Sequence, residues 1–585
     1  MPRPSPLTET PAASLDFSRE GTPASSAFDD IYFSVEGGLA ESRAVFLAGC
    51  GLPEVWEGRE RFTIAETGFG TGLNFLAAWQ LRRESGWGGH LHFVSIEKYP
   101  LSHGELAAAL SAFPELSDLT EALLAVWPGR VKGTHRLEFE GVTLDLWHCD
   151  VAEALGEMRL RADAWFLDGF SPAKNPDMWS ESNISRLAGL STPGAQLASF
   201  TVAGHVRRAL LGSGWEVSRE PGFGRKRHRL EARLPGEAPA PDIIRPVIVG
   251  SGIAGASVAR AFLREGIVPT VIRSPDHDDI AASGNPLALV KPRLDKQDRP
   301  ESRFFLSAWL YARNLYRAVE CGIRHYPKSE GEATRFRAII EQRPLPPDDL
   351  RWEGGHLFFP TAPVIDPVAT CEGFLKGAEV IAADVTGWAR DGEGWRVDTS
   401  VGMLSGSHLV LASGLHLKSA FPELALRASR GQLSWALAEI DAPATYGGYA
   451  IPHGGRVLLG ATHDRLDGDD PYRLEPGDDA RNAALLQERL GVVATDTAPA
   501  RASVRVNSAD TLPILDEIEP GLWVLGALGS RGFSHAPLLG AELVSRTVRP
   551  ATSQGTGSRL HVRGSVALPR SQSARLSVSR GRGRS

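Results

Sequence analysis

Two glycine-rich stretches hold most of the chemistry-bearing residues of this chain. The first, AETGFGTGLNFLAAW (65–79), sets Glu66, Gly68, Gly70 and Gly72 in alternation. The second, VIVGSGIAGASVARAF (247–262), spaces Gly250, Gly252 and Gly255 as GxGxxG. Glycines let a backbone turn tightly and come close to a ligand. A phosphate loop of the P-loop kind needs Lys and then Ser or Thr after its last glycine. Here Leu73 and Asn74 follow Gly72, so the first stretch suits a ligand without phosphates. The second suits a pyrophosphate resting on a helix N-terminus. That motif by itself leaves FAD, NAD and NADP open. The second strand ends in Arg273, where a ribose-binding acid is usual, and Asp276 lies just beyond it.

Four acids add to the first stretch. Glu66, Glu97, Asp150 and Asp168 close successive apolar segments: RFTIAE, LHFVSIE, VTLDLWHCD and ADAWFLD. In open α/β sheets, ligands sit at the carboxyl ends of the strands. Carboxylates there accept hydrogen bonds from ribose hydroxyls and an adenine amino group, and they suit a sulfonium cation. S-adenosylmethionine offers all of these, and Glu66, Gly68, Gly70, Gly72, Asn74, Glu97 and Asp150 are the expected residues for holding it. Asp168 opens the peptide FLDGFSPAKNPDMW (166–179), where a methyl acceptor would face the sulfonium. A carboxylate in that place can orient an amine and help take up its proton. Phe170, Pro172 and Trp179 are expected to wall the pocket.

The elements needed to position these groups are legible. Strands and helices alternate through the first half, which implies a doubly wound parallel sheet. LPGEAPAPD (234–242) is a Pro/Gly/Ala linker. After it, RPVIVG and VPTVIR flank a helix, and glycine-ended strands return at HLVLASG (408–414) and GLWVLGALGSRGF (521–533). This order implies a nucleotide domain interrupted by an inserted α+β substrate domain. Residues 1–27, rich in Pro, Ser, Thr and Ala, read as a disordered tail. Residues 551–585 hold seven Arg and no acid and read as a flexible basic tail. The expected division is therefore 28–234, a linker at 235–242, and 243–550.

At 585 residues the chain is too long for one core. Its net charge of −7 means that any contact with nucleic acid must come from local basic patches. No apolar run reaches the roughly 18 residues of a membrane span, and the first 20 residues have no signal-peptide core. Cys50, Cys149, Cys321 and Cys371 form no CxxC pair. Free thiols in a reducing cytosol are expected, and no metal site.

At this point a resemblance enters. ETGFGTGLNFLAAW and DAWFLDGFSPAKNPDMW, with FDDIYFS (28–34) and GFGRKR (222–227), resemble the methyltransferase half of the bifunctional tRNA 5-methylaminomethyl-2-thiouridine biosynthesis (MnmC) family. AASGNPLALVKPRL (281–294) and LGALGSRGFSHAPLLGAEL (525–543) resemble its oxidoreductase half, which is akin to glycine oxidase and D-amino-acid oxidase. The resemblance implies a class I S-adenosylmethionine-dependent methyltransferase followed by a FAD-binding Rossmann-like domain. It implies FAD held by Gly250, Gly252, Gly255, Ser283, Gly284, Gly529 and Gly532. Arg505 and Arg531 would clamp the substrate carboxylate, with Lys291 and Arg430 as further cations for that role. It implies the removal of a carboxymethyl group from a wobble uridine, then methylation of the amine left behind. Arg207, Arg208, Arg225, Lys226 and Arg227 would meet tRNA phosphates, and Phe170 would stack on the flipped base. A cytoplasmic enzyme with tRNA as partner, and no membrane or obligate protein partner, is expected. Two rivals stay open: a free amino-acid oxidase fused to a small-molecule methyltransferase, and a tRNA-binding protein with decayed sites.

Overall fold

The computed structural model describes residues 5–548, apart from 14, 20–21, 26–27, 29, 34–36, 225, 239–241, 277–280 and 467–469. The expected basic tail at 551–585 and the candidate Arg225 lie outside the described residues.

The first half is built on one sheet. Its strands are β1 (Arg61–Glu66), β2 (His90–Ile96), β3 (Gly133–Phe139), β4 (Val142–His148), β5 (Ala162–Phe166), β6 (Ser191–Ser199), β7 (Glu216–Pro221) and β8 (His228–Arg233). They lie in the order β7-β8-β6-β5-β1-β2-β4-β3. The central strands β6, β5, β1, β2 and β4 are mutually parallel, and the edges are antiparallel. Central strands covered on both faces carry continuous apolar runs, and β2 is buried along its whole length. The helices α1 (Leu73–Ser85) and α2 (Val151–Glu157) follow β1 and β4 directly. α1 buries Phe75 and Leu76 in the core cluster of β1 and β2. All four acid-ended segments of the sequence thus become neighbours at one edge of one sheet.

The second half begins with β9 (Pro246–Val249), α3 (Ile253–Arg264) and β10 (Thr270–Arg273). With β11 (Glu379–Ala382), β12 (His408–Leu411), β13 (Ile514–Glu519) and β14 (Leu522–Gly526) these strands form a sheet of order β11-β10-β9-β12-β14-β13. Only β13 is antiparallel to its neighbour. The helix α5 (Gly532–Val548) follows β14 and packs its Leu539 and Leu543 into the same core as α3. Between these pieces the chain builds a ten-stranded mixed sheet, including Arg427–Leu437 paired antiparallel with Thr495–Asn507. The interrupted nucleotide domain expected from the sequence is what forms.

The N-terminal segment departs from the disordered tail expected at 1–27. Leu7 is buried, its N–H donates to Lys296 O at 3.0 Å, and Thr10 N donates to Arg130 O at 2.9 Å. Ala13 is also buried, and Leu15–Arg19 pairs with Thr22–Ser25. Composition misleads here because a few apolar side chains with tertiary partners suffice to order a polar strap.

That strap crosses a seam rich in ion pairs. The helix α4 (Pro300–Leu315) lies against β3. Glu138 of β3 accepts from Arg260 at 2.7 Å and from Tyr311, and Arg264 lies 3.6 Å away. Arg61 donates to Glu265 at 3.1 Å, and Arg303 joins Asp298 to Glu153. Desolvated charges are stable only when paired, and removing one partner from a buried pair costs about 3–5 kcal/mol. Glu138 is 9% and Arg260 20% exposed, so Glu138→Ala should fall near the lower end of that range. Scanning calorimetry should then show two separated transitions in place of a coupled one. An unchanged thermogram would mean that the seam contributes little to the coupling.

Candidate active sites

The first site stands on the turn from β1 into α1. Glu66, buried at the end of β1, accepts from Asn74 Nδ2 at 2.8 Å and from Ser95 Oγ at 2.7 Å. The same Asn74 amide donates to Asp168 Oδ2, also at 2.8 Å. One side-chain amide, with its two N–H groups, therefore separates two carboxylates. Asp168 Oδ1 accepts from Gly169 N at 2.8 Å. Burial raises the Asp168 carboxyl to about 6, against the bonds from Gly169 and Asn74. Burial, and then the charge of Asp168, push Glu66 well above the ordinary carboxylate range. Glu97 is raised by burial and accepts from Gly70 N and Tyr99 N, each at 2.8 Å. Asp150 is lowered: burial opposes this, but Ala152 N at the start of α2 and Lys98 Nζ at 3.0 Å outweigh it.

Gly68 earns its place by close approach, because a Cβ there would lie 3.0 Å from Gly169 Cα. The turn and the Asp168 loop are therefore in backbone contact. Gly70 and Gly72 both hold positive φ, 54° and 75°. The acids, the turn and Asn74 come together as the sequence implied. They fit S-adenosylmethionine: several acceptors and no cationic side chain bonded to Glu66, Glu97 or Asp168 among the described residues.

The pocket wall differs from expectation. Phe170 stacks on Phe28, with ring centroids 4.7 Å apart, and meets Tyr32 edge-on at 5.2 Å. Phe28 thus takes one face of the ring that was expected to stack on a flipped base. Trp179 is 1% exposed and donates Nε1–H to Phe170 O at 2.8 Å, so it braces the loop from within. Lys226 lies within electrostatic reach of Asp168, pairs with Glu41 at 2.7 Å and rests over the Phe200 ring. Arg208 and Arg227 are exposed and Arg207 half-buried. Arg229, from the same basic run, is tied to Glu231.

The second site is a cavity of about 790 Å³ at the carboxyl edge of the second sheet. Gly250 holds φ 106°, and a Cβ at Gly255 would lie 1.8 Å from Gly250 O, so β9 can turn into α3 only with glycines there. Gly250 and Gly252 line the cavity, whereas Gly255 serves packing behind it. Ser283 lines it too, its Oγ accepting from Ile253 N at 2.9 Å. Gly284 does not: a Cβ there would meet the Arg501 guanidinium at 2.7 Å, so this glycine serves packing instead. Gly529 and Gly532 bring the N-terminus of α5 to the same space. Arg273 turns aside to Ser251 and Glu372, while Asp276 faces the cavity. The glycine cradle, the helix N-termini and the volume fit a dinucleotide such as FAD.

Arg505 and Arg531 both line this cavity. Neither pairs with a carboxylate among the described residues, and burial lowers both guanidinium pKa values. Arg430 is removed from the clamp, because it is bound to Asp478 at 2.6 Å and to Gln432. Tyr449, His463 and Tyr472 also line the cavity and carried no sequence signal, since they come from an inserted strand and the connections around it, which have no distinctive motif.

Comparison with known proteins follows this geometry. Residues 114–235 match the family model described as S-adenosyl-L-methionine-dependent methyltransferase, and residues 246–546 match FAD dependent oxidoreductase. The chain is 44% identical over 577 residues to the tRNA 5-methylaminomethyl-2-thiouridine biosynthesis bifunctional protein MnmC of Caulobacter vibrioides, covering 92% of this chain and 95% of that protein. The chain belongs to the MnmC family. Its relative from Maricaulis maris is 41% identical, covering 96% of this chain and 97% of that one. Among solved structures, glycine oxidase from Geobacillus kaustophilus is 18% identical, covering 52% of this chain and 94% of its own, with a TM-score of 0.44. The two cofactors of this MnmC family member are thus S-adenosylmethionine in the first half and FAD in the second.

Asp168 yields a pH test. Below about pH 6 it gains a proton, and methyl transfer should lose a proton acceptor in addition to losing the neutral amine. The wild-type rate should then show an extra protonation step that Asp168→Ala lacks, and the variant should be slower by roughly 10²-fold at neutral pH. Calorimetry should find S-adenosylmethionine affinity largely kept. If affinity falls as far as turnover, Asp168 is a cofactor ligand instead.

Proposed function

We propose that the two halves act in order on one wobble uridine of tRNA, in the cytoplasm. The second half removes the carboxymethyl group of 5-carboxymethylaminomethyl-2-thiouridine. The first half methylates the exposed amine to give 5-methylaminomethyl-2-thiouridine. The observation that carries this reading is the pair Arg505 and Arg531, two half-buried cations without carboxylate partners among the described residues, in a dinucleotide cavity. Such a pair awaits an anion, and a guanidinium holds a carboxylate by two parallel hydrogen bonds. FAD, when bound, supplies the hydride acceptor for the carbon between nitrogen and carboxylate. The arginines fix that carbon in place.

In the first half, Glu66, Glu97, Asp150 and the glycine turn hold S-adenosylmethionine, and Asn74 keeps Asp168 in register with Glu66. Asp168 orients the amine and receives its proton. Arg207, Arg208, Lys226 and Arg227 supply phosphate contacts, with Lys226 nearest to Asp168.

Arg531→Lys keeps the charge and loses the planar fork, so it should weaken oxidation by about 1.5–3 kcal/mol, the scale of a hydrogen bond to a charged group. Methylation of tRNA already carrying the aminomethyl group should be untouched. Mass spectrometry of digested tRNA nucleosides reads both. Unchanged oxidation removes Arg531 from the clamp. Turnover of free N-substituted glycines, without turnover of tRNA, would favour the amino-acid oxidase rival.

A further inference from the structure

The substrate amine raises a problem that the arginine clamp does not solve. A dialkylamine of this kind is an ammonium ion near neutral pH, R–CH2–NH2⁺–CH2–COO⁻. Hydride can leave the methylene only when the nitrogen lone pair is free to form the C=N bond. Some group must take the ammonium proton, in a cavity whose charged side chains are mostly cationic.

One side chain is placed for this. Lys291 lines the same cavity as Arg505 and Arg531. Its Nζ lies 3.3 Å from His325 Nδ1 and over the Phe359 ring, and no carboxylate stands within ion-pair distance of it among the described residues. Arg531, Lys328 and Arg335 act on it with like charge, and Glu332 acts against them. His325 is itself held neutral by burial, with Lys291 the largest of the charges acting on it. No carboxylate among the described residues is close enough to hold this lysine in its charged form.

We propose that Lys291 is the base that takes the proton from the substrate's secondary ammonium before oxidation, a role that rests on the reaction assigned above to the flavin half. Burial, and then Arg531, lower Lys291 to about 7, so much of it is the free amine at neutral pH. The step balances simply. The N–H bond of the substrate breaks and its proton passes to Lys291 Nζ. The freed lone pair forms C=N as hydride leaves the methylene carbon for the flavin, which is reduced. Water adds to the iminium carbon, giving glyoxylate and the primary ammonium, and Lys291 gives its proton to solvent. Its charged form also sits beside Arg531, so each proton taken up is readily given back.

The alternative role, a third cation for the carboxylate, predicts different behaviour. Lys291→Arg keeps a cation and abolishes the base, whereas Lys291→Met loses both. Flavin reduction should be followed anaerobically after mixing with carboxymethylaminomethyl tRNA across pH. In the wild type the rate should level off above about pH 7. In both variants it should be slower by roughly 10²-fold at pH 7 and climb tenfold per pH unit toward the pKa of the substrate amine. A Lys291→Arg profile that overlays the wild type overturns the proposal, as does an effect confined to KM. If the wild type fails to reduce its flavin with this tRNA, the reaction assignment fails instead. A readout without turnover is competitive acetylation of the holoenzyme by acetic anhydride, with Lys291 followed by peptide mass spectrometry. A midpoint near 7 is expected. A midpoint at the ordinary lysine value, or no reaction at any pH, counts against the base.

Discussion

Both active sites depend on one constraint: a parallel strand must turn into its helix with nothing filling the space above the sheet edge. At the second site this is severe, since a Cβ on Gly255 would sit 1.8 Å from Gly250 O. At the first, Gly68 lets the turn touch the Asp168–Gly169 backbone. Helix N-termini, strand-end acids and cofactor space all follow from these close approaches, because a side chain in either place would pry the helix from its strand. Two unrelated chemistries then rest on the same local geometry, and they differ in what surrounds it. The methyltransferase edge gathers acids, Glu66, Glu97 and Asp168, and the flavin cavity gathers cations, Lys291, Arg505 and Arg531.

Burial sharpens both sets. Without Asn74 between them, Glu66 and Asp168 would be two desolvated carboxylates with only hydroxyl and backbone partners. With it, Asp168 stays near 6, a useful value for accepting a proton at neutral pH. In the other half, burial disfavours charge on Arg505 and Arg531, so an incoming carboxylate relieves the cost of holding them there. The seam of Glu138, Arg260 and Arg264 fixes the two sheets against one another, and the strap at Leu7 crosses it.

Much of this was legible in the sequence. Alternating apolar strands ending in Glu66, Glu97, Asp150 and Asp168 announce their own order, because strand-end acids and glycines share one edge by topology. Longer-range relations were not legible. Nothing in Asn74 indicates that it spans two carboxylates, since its partners lie 8 and 94 residues away. Phe28 covers Phe170 from 142 positions earlier in the chain, a contact that no local pattern announces. Arg430 and Gly284 stand in suggestive motifs, yet Asp478 and Arg501, distant in sequence, claim them. Tyr449 reaches the flavin cavity from the inserted sheet, whose strands pair across long separations, and His463 and Tyr472 reach it from connecting segments with no local signature.

The central claim is that one chain holds two independent sites which act in a fixed order on the same nucleoside. The most direct measurement is nucleoside mass spectrometry of carboxymethylaminomethyl tRNA incubated with the whole protein, with and without S-adenosylmethionine. Without it, the aminomethyl nucleoside should accumulate. With it, the methylaminomethyl nucleoside should replace that product. Methylaminomethyl product formed without S-adenosylmethionine, or no loss of the carboxymethyl group until S-adenosylmethionine is added, would contradict the account.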